Sequence, residues 1–176
     1  SYRYTLVKND PSNTVLTDPE GNTIYKVRYW IILATTWTEV WIPEISTPFR
    51  FPNETTTITR ADESDIVAII HWNAVEKNAI TMNGITRNIN DVFPRTSKMG
   101  SSRLVMTGDE ETFKWKYTTK LYCMSETTGL NVATYYHILF ADRRSKKSTI
   151  DIAPCAVRYS DILVVSWMIM EKEAQD

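Results

Sequence analysis

The side chains that could carry out chemistry are few and well separated along the chain. His71 and His137 are the only histidines, and Cys123 and Cys155 are the only cysteines. A zinc site needs about four ligands with closely spaced pairs, and this spacing does not supply them. We therefore expect no metal and no cofactor. Each histidine is interpreted as a partly buried strand residue with a hydrogen-bond partner, and both are candidates for a pocket at one end of the fold.

Nucleophilic catalysis would require one of the cysteines to act with His137. The local surroundings that mark cysteine enzymes are missing, and neither cysteine begins a helix, where the dipole would lower its thiol pKa. We predict two reduced, buried thiols, with one disulfide as the alternative. The acidic run 109–111 is expected to be a solvated turn, and no glycine-rich phosphate loop is present. We assign no catalytic residue, and an enzyme is the less favoured hypothesis.

The one concentrated basic cluster consists of Arg143, Arg144, Lys146 and Lys147. It lies between two predicted strands, so it should form an exposed loop. Each such residue near an anionic membrane contributes about 1 kcal/mol of attraction, which makes the four candidates for lipid headgroup binding. A solvated hairpin tip is the alternative. The formal net charge of the chain is −1, so no overall field attracts nucleic acid, and we expect none as a partner.

An aromatic segment at about residues 28–46 contains Trp30, Trp37 and Trp41, half of the six tryptophans. It either packs on the rest of the fold or presents aromatic side chains to a partner, since an exposed apolar patch of this kind marks interfaces. We predict at least partial burial, with Trp37 the most exposed of the three because threonines and a glutamate surround it.

The elements that must position these residues are strands, followed by one helix. Strand signals recur about every ten residues with turns between them, which is typical of an all-β barrel or sandwich. Asn83-Gly84 predicts a tight hairpin, and residues 66–72 are expected to be buried on both faces. The length favours a single domain over residues 1–176.

The closing block, at about residues 161–173, is predicted to be a helix that is apolar on every face. Such a helix must be surrounded by protein or lipid, and its apolar run is much shorter than the ~20 residues of a membrane span. We therefore expect no transmembrane segment and place this helix inside the β-structure. Ser160 is expected to cap it by accepting a backbone N–H, and Asp161 to complement its dipole.

Several segments resemble an uncharacterised domain family of mushroom-forming fungi that is related to the tubby C-terminal, LURP-one and phospholipid-scramblase barrels. They are residues 13–27 with their Asp-Pro-Glu-Gly-Asn turn, 55–60, 69–72, 80–84 with Asn-Gly, 102–103 and 112–116. The closing helix is similar to the one that fills LURP-one-like barrels. The resemblance implies a closed antiparallel β-barrel around a hydrophobic C-terminal helix. It carries no catalytic signature, and the aromatic segment is an apparent insertion relative to it.

Three classes of function follow. We expect a non-catalytic binding module for anionic phospholipid or a protein partner. A small-molecule carrier or enzyme that uses a pocket at a barrel end, near His71 or His137, is the first alternative. An oligomeric structural protein that assembles through the aromatic segment is the second. A cytoplasmic location, or a peripheral one at a membrane, is expected because the first residues are not a signal segment; secretion stays open because a mature form would have lost one.

Overall fold

The computed structural model describes residues 1–32, 53–73, 77–97, 100–138 and 146–175. It consists mainly of one antiparallel sheet of 12 strands, followed by a C-terminal helix. The strands are β1 Tyr2–Leu6, β2 Thr14–Thr17, β3 Thr23–Ile32, β4 Asn53–Arg60, β5 Ile66–Trp72, β6 Ala79–Met82, β7 Ile85–Asn88, β8 Arg103–Met106, β9 Thr112–Tyr117, β10 Leu121–Ser125, β11 Asn131–Tyr136 and β12 Thr149–Ile152. The helices are α1 Ile89–Val92, the 3₁₀ helix Pro154–Tyr159 and α2 Ser160–Gln175.

Several strands alternate between more and less buried residues because one face of the sheet is packed and the other is solvated, whereas β11 is buried at four successive residues. In β9, Phe113 and Trp115 are buried while the intervening lysines are not. β5 follows the same rule, so the prediction that it is buried on both faces is wrong. The hairpin predicted at Asn83-Gly84 is confirmed, with φ angles of 50° and 74° between β6 and β7.

Helix α2 forms the centre of the core. Its buried residues run from Leu163 to Glu171 and so cover every side of the helix. Strands distant from one another in the sheet contact it: the Trp115 indole on β9 donates to the Ser166 hydroxyl at 2.8 Å, and the Tyr25 hydroxyl on β3 donates to Asp161 at 2.7 Å. The sheet must therefore curve around the helix to bury it. No helix of the described residues is long and apolar enough to cross a membrane.

The sheet is not closed into a barrel, which corrects the predicted fold. The strand order is β7-β6-β5-β4-β3-β2-β1-β12-β11-β10-β9-β8, and among the described residues no ladder joins β7 to β8. At this seam the start of β8 borders the chain that follows α1: the Leu104 N–H donates to the Pro94 carbonyl at 2.9 Å, and a single bridge joins Arg95 to Arg103. The Arg103 side chain adds hydrogen bonds to the Asn90 side chain at 3.0 Å and to the carbonyl of Phe93.

Two local predictions at the start of α2 are wrong. The Ser160 hydroxyl donates to the Val157 carbonyl at 2.6 Å, so it serves the preceding 3₁₀ helix instead of accepting a backbone N–H. Cys155 is exposed, because Pro154 begins that 3₁₀ helix where a buried strand was expected. Cys123 is buried as predicted, and both thiols are free.

We expect Trp167→Ala to lower the free energy of unfolding by about 3–5 kcal/mol, because Trp167 is 0% exposed and its loss leaves a large cavity. Trp30→Ala is the matched control: Trp30 is 54% exposed, so its loss should lower the free energy of unfolding clearly less than that of Trp167. Urea unfolding of both variants measures the difference. Equal midpoints for the two would contradict a helix enclosed by the sheet.

Candidate functional site

The predicted site residues are placed as follows. Arg143, Arg144, Trp37 and Trp41 lie outside the described residues. Lys146 and Lys147 are exposed just before β12, and Trp30 is exposed near the end of β3. Trp30 therefore does not share the partial burial expected for its segment.

The two histidines occupy separate parts of the sheet. His71 is half-buried on β5, where it is paired with Thr55 and Ala79. His137 is exposed just past β11, and its Nδ1 lies 3.1 Å from the Tyr135 hydroxyl. Five strands separate β5 from β11 in the sheet order, so the structure does not bring the histidines together on adjacent strands.

The two ends of α2 define the two ends of the fold. At its N-terminal end, Asp161 accepts hydrogen bonds from the Tyr25 hydroxyl at the start of β3 and from Arg60 at the end of β4. At its C-terminal end, Glu173 binds Arg103 at the start of β8. Because neighbouring strands are antiparallel, successive connections emerge alternately at these two ends.

The charges on the described connections separate by end. At the α2 N-terminal end the acidic residues are Asp18, Glu20, Asp62, Glu63, Asp65, Asp109, Glu110, Glu111 and Glu126, with Arg158 as a cation. At the α2 C-terminal end the basic residues are Lys8, Lys77, Arg95, Lys120, Lys146 and Lys147, with Asp10 and Asp91 as acids. This distribution complements the helix dipole, which is positive at its N-terminus and negative at its C-terminus. The described connections therefore carry opposite charge at the two ends, although the net charge of the chain is −1.

A buried ion pair fixes the last turn of α2 to the seam. The Arg103 side chain is 3% exposed, and its Nε donates to Glu173 Oε2 at 2.9 Å while its Nη2 donates to Oε1. Arg95 adds a second guanidinium, with Nη2 3.2 Å from Glu173 Oε1. Burial alone would raise the pKa of Glu173, but the two arginines hold it below its ordinary value. Glu173 is therefore charged at neutral pH.

Glu171 lies two residues earlier on α2 and is in a different environment. It is buried beneath the sheet, and burial raises its pKa from the ordinary 4.5 to about 7. Tyr135 on β11 is also buried, and burial together with the Glu171 charge raises the pKa of its phenol. The C-terminal turn thus holds two carboxyl groups in opposite environments. The charged form is stabilised in Glu173 and destabilised in Glu171.

A pocket of about 290 Å³ opens beside this turn. Its lining includes Arg95, Ser101, Tyr117, Met170, Glu173 and Ala174. Neither histidine is among these residues, and a pocket near His71 or His137 stays a prediction. Sequence reasoning missed Arg103, Glu171 and Glu173. The available signal was that two carboxylates directly continue the apolar stretch of the closing helix, where α2 is still enclosed.

Glu171→Gln should stabilise the protein at alkaline pH. The folded-state pKa is raised, so the native state keeps its proton between about pH 4.5 and 7 while the unfolded state loses it, and stability falls as pH rises through this window. The variant escapes this loss. We expect the free energy of unfolding of the variant to exceed that of the parent by roughly 2–3 kcal/mol at pH 8. This difference should vanish below about pH 5.

Urea unfolding across this pH range tests the effect, with Glu126→Gln as the control because Glu126 is exposed. A gap between parent and Glu171→Gln that stays constant from pH 5 to pH 8 would refute the raised pKa.

Arg103→Ala should cost about 3–5 kcal/mol, because it leaves the partly buried Glu173 carboxylate without its main partner. The matched control is Arg3→Ala. Arg3 also makes a two-pronged pair, with Asp151, but its side chain is 57% exposed, so we expect a much smaller loss. Thermal and urea unfolding give both values, and similar losses would argue against a special role for the seam.

Comparison with known proteins gives a family and little more. No curated protein matches the chain in sequence. An X-ray structure of a protein from Arabidopsis thaliana is similar at 14% identity, covers 98% of this chain and 91% of its own, and has a TM-score of 0.35. That score shows neither a shared fold nor a shared function. The relation to tubby, LURP-one and scramblase barrels and the fungal origin are not supported by these comparisons and stay predictions. A family model described as a family of unknown function, DUF6593, matches residues 9–176, and the chain therefore belongs to that family.

Proposed function

We propose that the protein is a non-catalytic binding module whose α2 C-terminal end docks onto an anionic phospholipid surface. The observation that carries this proposal is the separation of charge between the two ends of the fold. The sequence alone pointed to one basic loop at residues 143–147. The topology adds Lys8, Lys77, Arg95 and Lys120 from four other connections at the same end.

Electrostatic attraction of this kind is additive over several cations. Each lysine or arginine near an anionic surface contributes about 1 kcal/mol, so one residue binds negligibly and a group of several gives measurable binding. The acidic residues at the opposite end reinforce the effect, because they are repelled by the membrane and favour one orientation.

Exposed aromatic side chains at the same end add a second contribution. Trp30, Tyr117 and Tyr136 are all exposed, and each lies in the C-terminal part of a strand that runs toward the α2 C-terminal end. Tryptophan and tyrosine are the residues that favour the membrane–water interface, because they combine an apolar ring with a polar atom. The resemblance to lipid-associated barrels adds only an analogy at the level of fold.

A protein partner or a second copy of the chain would use the same aromatic surface. Trp30 and Ile31 are both exposed near the end of β3, on opposite faces of the strand, and this exposed apolar surface favours the second candidate. It predicts association that depends on Trp30 and is insensitive to the lysines. Light scattering of the parent and of Trp30→Ala separates it from the lipid hypothesis.

Vesicle co-sedimentation tests the lipid hypothesis. The parent should bind vesicles that contain phosphatidylserine and not vesicles of phosphatidylcholine alone. Binding should weaken strongly between 0.1 M and 1 M salt, where the Debye length falls from ~10 Å to ~3 Å. Replacing Lys120 and Lys147 by glutamine removes two cations and should weaken binding about 30-fold with little change in melting temperature.

The matched control replaces Arg28 and Arg158 by glutamine, which changes the net charge by the same amount. These arginines pair with Glu63 and Asp109 at the opposite end of the fold, so we expect binding close to that of the parent. Replacing all of Arg143, Arg144, Lys146 and Lys147 tests the loop separately. Equal weakening by the two double variants, or binding that persists in 1 M salt, would contradict the proposal.

A further inference from the structure

The pocket beside the last turn of α2 combines a cation with an apolar wall. It lies where the start of β8 and the end of β9 approach the helix, next to the seam between β7 and β8. Its volume of about 290 Å³ is at the small end of the ~300–1,000 Å³ that is usual for ligand pockets. A ligand held there must therefore be small.

One arginine and one carboxylate, Arg95 and Glu173, line the pocket, and a second arginine, Arg103, lies buried behind the carboxylate. Arg103 is committed to Glu173 through two nitrogens and to Asn90 and Phe93 through a third. Arg95 shares the same carboxylate at 3.2 Å through one nitrogen, and its side chain is 43% exposed. A guanidinium has five N–H donors, so Arg95 retains donors for another acceptor. Two arginines against one carboxylate leave a net charge of +1 at this site.

The remaining lining suits an apolar body. Met170 and Ala174 contribute aliphatic surface from α2, and Tyr117, which is 50% exposed, contributes an aromatic ring from β9. Ser101 also lines the pocket, and its hydroxyl is a hydrogen-bond donor and acceptor. Pockets of this composition, mostly apolar with a few polar groups, bind small molecules and use the polar groups to orient them.

We propose that this pocket binds a small organic monocarboxylate, with its carboxylate on Arg95 and its apolar body against Met170 and Tyr117. Arginine pairs with carboxylate through two parallel N–H donors, which fixes orientation as well as charge. The Glu173 carboxylate at the same site disfavours a phosphate dianion, because only one positive charge is uncompensated. The pocket shares Arg95 and Tyr117 with the end of the fold proposed to dock on a membrane, but neither proposal requires the other.

Methionine methyl NMR on the full chain tests the proposal. The chain has six methionines. Met170 reports on the pocket, while Met82 and Met106 end β6 and β8 at the α2 N-terminal end of the fold, away from the pocket. With benzoate as the probe, the Met170 resonance, assigned from Met170→Leu, should shift saturably while Met82 and Met106 do not move. Benzamide, which keeps the shape but not the charge, and inorganic phosphate should produce no saturable shift.

Arg95→Gln should weaken benzoate binding about tenfold or more, since it removes a charged hydrogen-bond donor. Unchanged Met82 and Met106 resonances show that this variant is folded. Arg87→Gln is the matched control: Arg87 is an exposed arginine on β7 that does not line the pocket, so benzoate affinity should equal that of the parent.

Four outcomes would overturn the proposal. They are the absence of a saturable Met170 shift with benzoate, an equal shift with benzamide, a shift with inorganic phosphate instead of benzoate, and undiminished benzoate affinity in Arg95→Gln. No vesicles are present in these measurements, so a failure here is distinguishable from a failure of the lipid hypothesis.

Discussion

Helix α2 can persist only where other parts of the chain surround it. Its apolar residues point in every direction, so no single packing surface would cover them, and water would remain in contact with one side or another. The twelve strands meet this requirement by curving around the helix. Leu163 to Met170 are buried along the whole run, with Trp167 and Trp115 among the largest fully buried side chains. The sheet in turn has little other core, since its inward-facing residues pack on this helix.

The unpaired edges β7 and β8 follow from the curvature of the sheet around the helix. A sheet that wraps a helix must meet itself, and at that place β7 and β8 do not pair. Arg103 lies there instead, and its guanidinium bonds to the chain on one side and to Glu173 of the helix on the other. Arg103 at the start of β8 therefore links the chain that follows β7 to the last turn of the helix. It also places a charged, partly open site at the α2 C-terminal end.

Antiparallel topology explains why basic residues that are far apart in sequence lie at the same end of the fold. Lys8, Lys77, Lys120 and Lys147 are far apart in sequence, and each looks like an ordinary turn residue. Because alternate connections emerge at the same end, the fold brings them to one side and the acidic turns to the other. Glu171 shows the opposite case: it continues the helix past the apolar run but stays enclosed, and burial raises its pKa to about 7.

The sequence by itself determined the features that depend on neighbours along the chain. Alternation predicted the strands, Asn83-Gly84 predicted its hairpin, and the all-round apolar run at 161–173 predicted a helix inside β-structure, because these signals come from local geometry and solvent exclusion. Ser160, Cys155 and residues 66–72 were misjudged, since their environments depend on a 3₁₀ helix and on which strand face is packed. Only the tertiary structure decided the open seam, the Arg103–Glu173 pair, the pocket beside it and the separation of charge between the ends. Each of these joins residues distant in sequence, and their proximity follows from strand order and curvature, which no local pattern encodes.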